Sequence, residues 1–197
     1  MIRVRIEKKA FGDTDVLGEI AFDVAQGERV ALVGPSGIGK STLLRIVAGL
    51  DASFQGTVER PDRLAMVFQE PTLLPWRSAL DNVVLATRVS ERDARARLAE
   101  VGLLERAGLF PAQLSLGQQR RLALARAFAA RPRLFVLDEP FASLDEALAD
   151  EMMDLVATLL ERHGTTVVLV THSSREAERL TRRTLGLQGS PARLVDG

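Results

Sequence analysis

Residues 30–50 constrain the fold of this chain more than any other stretch. The apolar run Val30-Ala31-Leu32-Val33 leads into Gly34-Pro35-Ser36-Gly37-Ile38-Gly39-Lys40-Ser41, which fits the pattern G-x-x-x-x-G-K-[ST]. Leu43, Leu44, Ile46, Val47 and Leu50 follow at helical spacing. Strand, glycine-rich loop and helix in that order make a phosphate cradle. Gly34, Gly37 and Gly39 let backbone N–H groups turn inward and approach phosphate oxygens closely. The helix that starts near Lys40 adds its positive end. In such a cradle Lys40 reaches the β- and γ-phosphates and Ser41 holds Mg²⁺. Of 26 basic residues only Lys8, Lys9 and Lys40 are lysines. A chain that otherwise prefers Arg thus keeps a compact, flexible ammonium at this position, where a planar guanidinium is no substitute.

The rest of the chain supplies a parallel α/β scaffold for that loop. Residues 2–7 and 16–24 read as two strands of a meander, and 57–59 and 64–68 as short strands. Residues 69–77 form a loop punctuated by Pro71 and Pro75. Residues 78–110 read as helical and polar, with charges of both signs that fit a solvated face. A long helix is expected over 116–130, an apolar strand over 134–137, an amphipathic helix over 146–162 stopped by Gly164, a strand over 166–170, a helix near 174–182 and a small strand pair within 184–195. Strands alternating with helices predict a mostly parallel core sheet, so the fold class expected is α/β. At 197 residues the chain is expected to be one domain, with helical residues from about 78 to 130 inserted.

Composition narrows the function classes. With 26 acidic and 26 basic residues the net charge is zero, which gives no support for nucleic-acid binding. Cysteine is absent, so disulfides, cysteine zinc sites and thiol chemistry are excluded. No run of 18 apolar residues occurs, and Met1–Phe11 alternates charged and apolar residues as a strand does and a signal peptide does not. The expectation is a cytoplasmic protein.

Residues 134–140, Leu-Phe-Val-Leu-Asp-Glu-Pro, place two carboxylates at the C-terminal end of a buried strand, the edge where open α/β sheets bind ligands. Asp138 is expected to position Mg²⁺ through water, and Glu139 to act as general base on an attacking water. The competing reading is an acidic pair that caps the next helix. His172 ends the strand Val-Val-Leu-Val-Thr at the same sheet edge, within reach of the γ-phosphate and the water. His163, beside Gly164 at a helix end, needs no more than a capping or dipole role. Gln69 follows the strand 64–68, where a neutral amide could sense Mg²⁺ or the attacking water.

Taken in order, these pieces resemble the ATPase subunit of an ATP-binding cassette (ABC) transporter over nearly the whole chain. Residues 34–42 (adding Thr42) resemble the Walker A loop and Gln69 the Q-loop. Leu114-Ser115-Leu116-Gly117-Gln118 resembles the signature, 134–140 the Walker B strand, Ser143-Leu144-Asp145 the D-loop and His172 the switch histidine. The resemblance implies a P-loop NTPase with an N-terminal antiparallel β subdomain and a helical subdomain carrying the signature. It implies ATP and Mg²⁺, with Pro35, Ser36 and Thr42 among the ATP-binding residues, Gln69 with Ser41 and Asp138 at the metal, and Phe11 where the family stacks an aromatic on adenine. An ordinary packing role is the alternative for Phe11. It also implies a head-to-tail homodimer or pseudo-dimer, in which Ser115, Gly117 and Gln118 of one copy cap the γ-phosphate bound by the other. Ser115 and a glycine at a helix start offer a hydroxyl and N–H groups to an anion. The family has Gly-Gly where this chain has Leu116-Gly117, and Leu116 is expected to pack against a neighbouring surface.

The segment 67–83, Val-Phe-Gln-Glu-Pro-Thr-Leu-Leu-Pro-Trp-Arg-Ser-Ala-Leu-Asp-Asn-Val, is similar to importer ATPases of the nitrate, sulfonate and taurine group. In that group it lies near the surface that receives the membrane subunits. Trp76, the only Trp, reads equally as an interface anchor or as a buried side chain. The partners implied are integral membrane permease subunits and, indirectly, a solute-binding protein, with the chain peripheral on the cytoplasmic face of the inner membrane. The chain is short for the family, so control by partners is expected. The alternative is a soluble ABC-type ATPase acting as a mechanical clamp or scaffold. A binding module without turnover has no need of Glu139 and His172.

Overall fold

The computed structural model describes residues 1–196. They form two compact units, one of residues 1–66, 133–139 and the chain from Gly164 onward, the other of residues 67–132 and 140–163.

The first unit holds two sheets. β1 (Ile2–Phe11) pairs antiparallel with β2 (Thr14–Leu17), β3 (Ile20–Val24) and β5 (Gln55–Glu59). The stretch 16–24, expected to be one strand, is thus two, separated at Gly18. There the N–H of Gly18 leaves the ladder and donates to the carbonyl of Ala192. The second sheet has the order β10 (Arg193–Asp196), β9 (Arg183–Gln188), β4 (Arg29–Val33), β8 (Thr166–Thr171), β7 (Leu134–Asp138), β6 (Leu64–Val67). It is parallel from β9 to β7, and β10 returns antiparallel on β9. β4, β7 and β8 are almost wholly apolar because both faces are buried, as in parallel sheets generally. Leu43, Leu44, Ile46 and Val47 of α1 (Lys40–Ala48) join the core of β1, β3, β4, β7 and β8. The loop before α1 therefore starts at the C-terminal end of β4, beside the ends of β7 and β8.

The second unit holds α2 (Ala79–Thr87), α3 (Glu91–Glu100), α4 (Leu116–Ala129) and α5 (Glu146–His163). The polar helical stretch 78–110 is not continuous. Ser90 caps a new helix by accepting from the Asp93 N–H, and Gly102 at φ 70° turns the chain after α3. Arg97 and Glu100, expected on a solvated face, are instead largely covered and paired with each other at 2.6 Å. Asn82, fully buried, accepts from the Leu74 N–H at 2.8 Å and donates to the carbonyls of Leu74, Arg77 and Ser78. One amide so satisfies the turn around Trp76 and wraps the 71–78 loop onto α2. Trp76 itself is 68% exposed, which removes the buried reading of that side chain. The remaining helix, α6 (Ser174–Leu180), belongs to the first unit. No helix among the described residues is long and apolar enough to cross a membrane.

Candidate functional site

A cleft of about 280 Å³ in the first unit is lined by Phe11, Val16, Ser36, Gly37, Gly39, Lys40, Ser41, Thr42 and Glu139. The loop that forms it needs its glycines. Gly39, the residue before α1, sits at φ 104°, and a Cβ there would come within 2.8 Å of Leu17. At Gly34 a Cβ would meet the carbonyl oxygen of Leu187 at 2.8 Å. Backbone shape and neighbouring strands thus enforce both positions. Because Gly39 offers no capping side chain, the first N–H groups of α1 have no side-chain acceptor at the cap position.

Lys40 is buried, and its ammonium donates to the carbonyls of Gly34 at 2.8 Å and Pro35 at 2.9 Å. It also faces the Glu139 carboxylate at 3.6 Å. The other oxygen of Glu139 lies 3.3 Å from Nδ1 of His172. Glu139 adopts φ 45°, uncommon for a residue with a Cβ, and its N–H donates to the Val170 carbonyl at 2.9 Å. The side chain is thereby held out of the β7 ladder direction, at the sheet edge between β7 and β8. Ser41 donates its hydroxyl proton to Asp138 at 3.0 Å. Burial pushes the Asp138 carboxyl up, against the stabilising effect of that hydrogen bond. The contacts of Asp138 and Glu139 are thus with the phosphate loop and His172, not those of a helix cap.

His172 is 56% exposed on a turn braced by residues that sequence reading overlooked. The Thr171 hydroxyl donates to Glu176 at 2.6 Å and accepts from the Ser173 N–H at 3.0 Å. Ser173 in turn accepts from the Glu176 N–H at 3.3 Å. The signal was present as Ser173-x-x-Glu176, the spacing of a capping box. The side chain of Glu176 reaches Thr171 instead of the cap N–H, and burial pushes its carboxyl up. Val16, in the cleft wall, was also missed, since nothing in a short β-strand marks one apolar residue as a ligand neighbour.

The remaining candidates lie in the second unit. Gln69 is exposed at the bend that follows β6. Ser115 caps α4: its Oγ accepts from the Gln118 N–H at 3.3 Å, and Gln118 Oε1 accepts from the Ser115 N–H at 3.1 Å. A Cβ on Gly117 would lie 3.1 Å from Leu148. Asp145 accepts from the Leu148 N–H at 3.0 Å and so caps α5. Leu116 is 48% exposed.

The sequence profile described as ABC transporter matches residues 17–142. This chain belongs to the ABC transporter family. It is 49% identical to the aliphatic sulfonates import ATP-binding protein SsuB 3 of Nocardia farcinica, over 95% of this chain and 76% of that one. It is 45% identical to the aliphatic sulfonates import ATP-binding protein SsuB 2 of Pseudomonas syringae pv. syringae, over 100% of this chain and 72% of the relative. Among solved structures, the dimeric post-hydrolysis state of the ATP-binding cassette MJ0796 bound to ADP and Pi aligns with TM-score 0.82 and 30% identity, over 98% of this chain and 96% of that one. Both the α/β P-loop fold and the ABC ATPase class are thereby settled. For an ABC protein the one departure in the signature now has a physical reading. Gly117 is the position where a Cβ would crowd the Leu148 side chain, whereas Leu116 projects outward, where a side chain is tolerated.

Proposed function

We propose that this chain is the ATP-hydrolysing subunit of an importer, a single ABC ATPase domain with helical residues from about 78 to 130 inserted. The observation that carries the reading is Glu139, whose carboxylate stands between Lys40 and His172 at the cleft rim. In a nucleotide-bound site the Lys40 ammonium exchanges its Gly34 and Pro35 carbonyl partners for β- and γ-phosphate oxygens. N–H groups of 34–42, with Pro35, Ser36 and Thr42 shaping the loop, surround the phosphates, and Phe11 stacks on the base. Glu139 takes the proton of the attacking water. His172, held by Glu139 and by its braced turn, donates to the γ-phosphate. Gln69 senses the metal and the water.

Ser41 and Asp138 suit Mg²⁺. Both present hard oxygen donors, already 3.0 Å apart, and a cation beside Asp138 offsets the burial that raises its carboxyl. Asp138 would hold the ion through water, and Gln69 would serve as a further ligand. When bound, the ion neutralises charge on the phosphate oxygens.

Two copies form the working unit, head to tail, with Ser115, Gly117 and Gln118 of one facing the γ-phosphate of the other and Asp145 near the junction. In its capping role Ser115 uses an acceptor lone pair, so its hydroxyl proton stays free to donate to an anion. ATP closes the dimer and hydrolysis resets it. The names of the sulfonate-import relatives favour small organic sulfonates as the solute, delivered by a solute-binding protein to permease subunits. The exposed Trp76, in a turn whose backbone Asn82 holds, suits an anchor for those subunits. The chain then works at the cytoplasmic face of the inner membrane, with no nucleic-acid partner.

The test is Glu139→Gln. Phosphate release should fall by about 10²–10⁴-fold while ATP affinity is retained, and ATP should trap a dimer in light scattering. Turnover within a few-fold of the parent would overturn the assignment of the base. Co-purification from detergent-solubilised membranes of the native host checks the importer part. An integral membrane protein in stoichiometric yield is expected, and a chain found only in the soluble fraction would favour a clamp or scaffold ATPase.

A further inference from the structure

Lys9 and Phe11 lie two residues apart on β1 and so share a face of the strand. Lys9 is 3% exposed. Its ammonium pairs with the Asp51 carboxylate at 2.7 Å and donates to the Ser53 carbonyl at 2.7 Å. It also stands 4.5 Å from the centre of the Phe11 ring, over its face. An ammonium has three N–H groups. Two are taken by Asp51 and Ser53, and the ring face meets the third.

Phe11 itself is exposed and lines the cleft beside Ser36, Gly39 and Lys40. A phenyl ring on an exposed strand end ordinarily samples several rotamers, and ordering it on binding costs free energy. Here one face is covered by a fixed cation, leaving the other for a second planar group. We infer that Lys9 is a positioning residue for nucleotide-base recognition, holding the Phe11 ring so that its open face receives the adenine. The inference rests on the reading of Phe11 as the base platform.

The cation is anchored to the same helix that begins the phosphate site. Leu50 and Asp51 both donate their N–H groups to the Arg45 carbonyl at the end of α1, at 2.8 and 3.3 Å. Asp51 also accepts from the Ser53 N–H at 2.9 Å. The Lys9 ammonium, with that N–H, holds the Asp51 carboxyl below the usual carboxylate range. One end of α1 thus faces the phosphates, while the residues after its other end fix Lys9 and, through it, the ring. Base and phosphate subsites are set at a fixed spacing by a single nine-residue helix.

The test compares ATP with inorganic tripolyphosphate, which carries the phosphates without the base. Lys9→Met should weaken ATP binding by about 2- to 12-fold, the cost of ordering one free side chain on binding, and leave tripolyphosphate binding within about twofold. Because Lys9→Met strands Asp51 without its partner, Lys9→Met/Asp51→Asn is measured alongside and should show the same selective loss. Phe11→Ala should lose the base increment, and adding Lys9→Met to it should cost nothing more. Equal loss of ATP and tripolyphosphate affinity in both Lys9 variants, or loss of neither, overturns the role of Lys9 while Phe11→Ala still shows its selective loss. An unchanged ATP-to-tripolyphosphate ratio in Phe11→Ala overturns the platform itself.

Discussion

The two histidines mark two regions built on opposite plans. His172 stands at the open end of β8, more than half exposed, with one ring nitrogen on Glu139 and a braced turn behind it. His163 ends α5, only 21% exposed. Its ring stacks on Phe128 at 5.1 Å between centroids, and its Nε2 lies 3.1 Å from Arg97, beside Glu100. A group that must meet a ligand is held by its neighbours yet left open on one side. A group that serves packing is mostly covered, by an aromatic ring and by charges that satisfy one another. The difference lies in the surroundings, since both residues sit at element ends in the sequence.

The sharpest way to break this contrast is His172→Ala. Turnover should fall by about 10²-fold or more with the melting temperature nearly unchanged, measured by phosphate release and thermal unfolding. A comparable loss of stability would make the two regions alike. His163→Ala should behave in reverse. It removes the stack on Phe128 and the acceptor for Arg97, and should cost about 1–3 kcal/mol of stability by denaturant titration while ATP affinity is kept.

The smallest effect expected is a pH dependence confined to His163. Burial and then the Arg97 charge lower its pKa, against Glu100. The unfolded chain therefore binds the proton more readily, so the stability this site contributes is present above about pH 6.5 and declines as pH falls below that value. Glu100 acts lower. Burial alone would raise its carboxyl, but the hydrogen bond and charge of Arg97 prevail and lower it, so its contribution is lost only below its ordinary value of 4.5. Melting temperatures of the parent and His163→Gln, compared from pH 7 to 5, should converge as pH falls. Parallel curves would remove the titration of His163 from the account.

Sequence reading reached the phosphate loop, the carboxylates of β7 and the histidine after β8 because each is written in contiguous residues. A strand of apolar residues followed by a glycine loop leaves the backbone few alternatives, and a carboxylate after such a strand emerges at the sheet edge. It did not reach the break at Gly18, because that turn is fixed by a hydrogen bond to Ala192 across the fold. The fate of Arg97 and Glu100 was equally hidden, since mixed charges at helical spacing look the same whether water or His163 and Arg162 receive them. Trp76 was undecided for a related reason: its exposure follows from how Asn82 gathers three carbonyls around the turn.

What the sequence alone determined is the local chemistry: a glycine-shaped loop that can hold phosphate, carboxylates and a histidine carried on core strands, and serine-capped helices. Those depend on steric limits and hydrogen bonds within a few residues, so they survive any change of distant context. Only the tertiary structure decided which charged groups meet. Lys9 finds Asp51 at 2.7 Å, Glu139 falls between Lys40 and His172, and Arg97 reaches His163. Side-chain charges carry no address in the sequence. Their partners are chosen when the apolar faces of strands and helices far apart in the chain pack into one core, and the pairing energies are too small to direct that packing themselves.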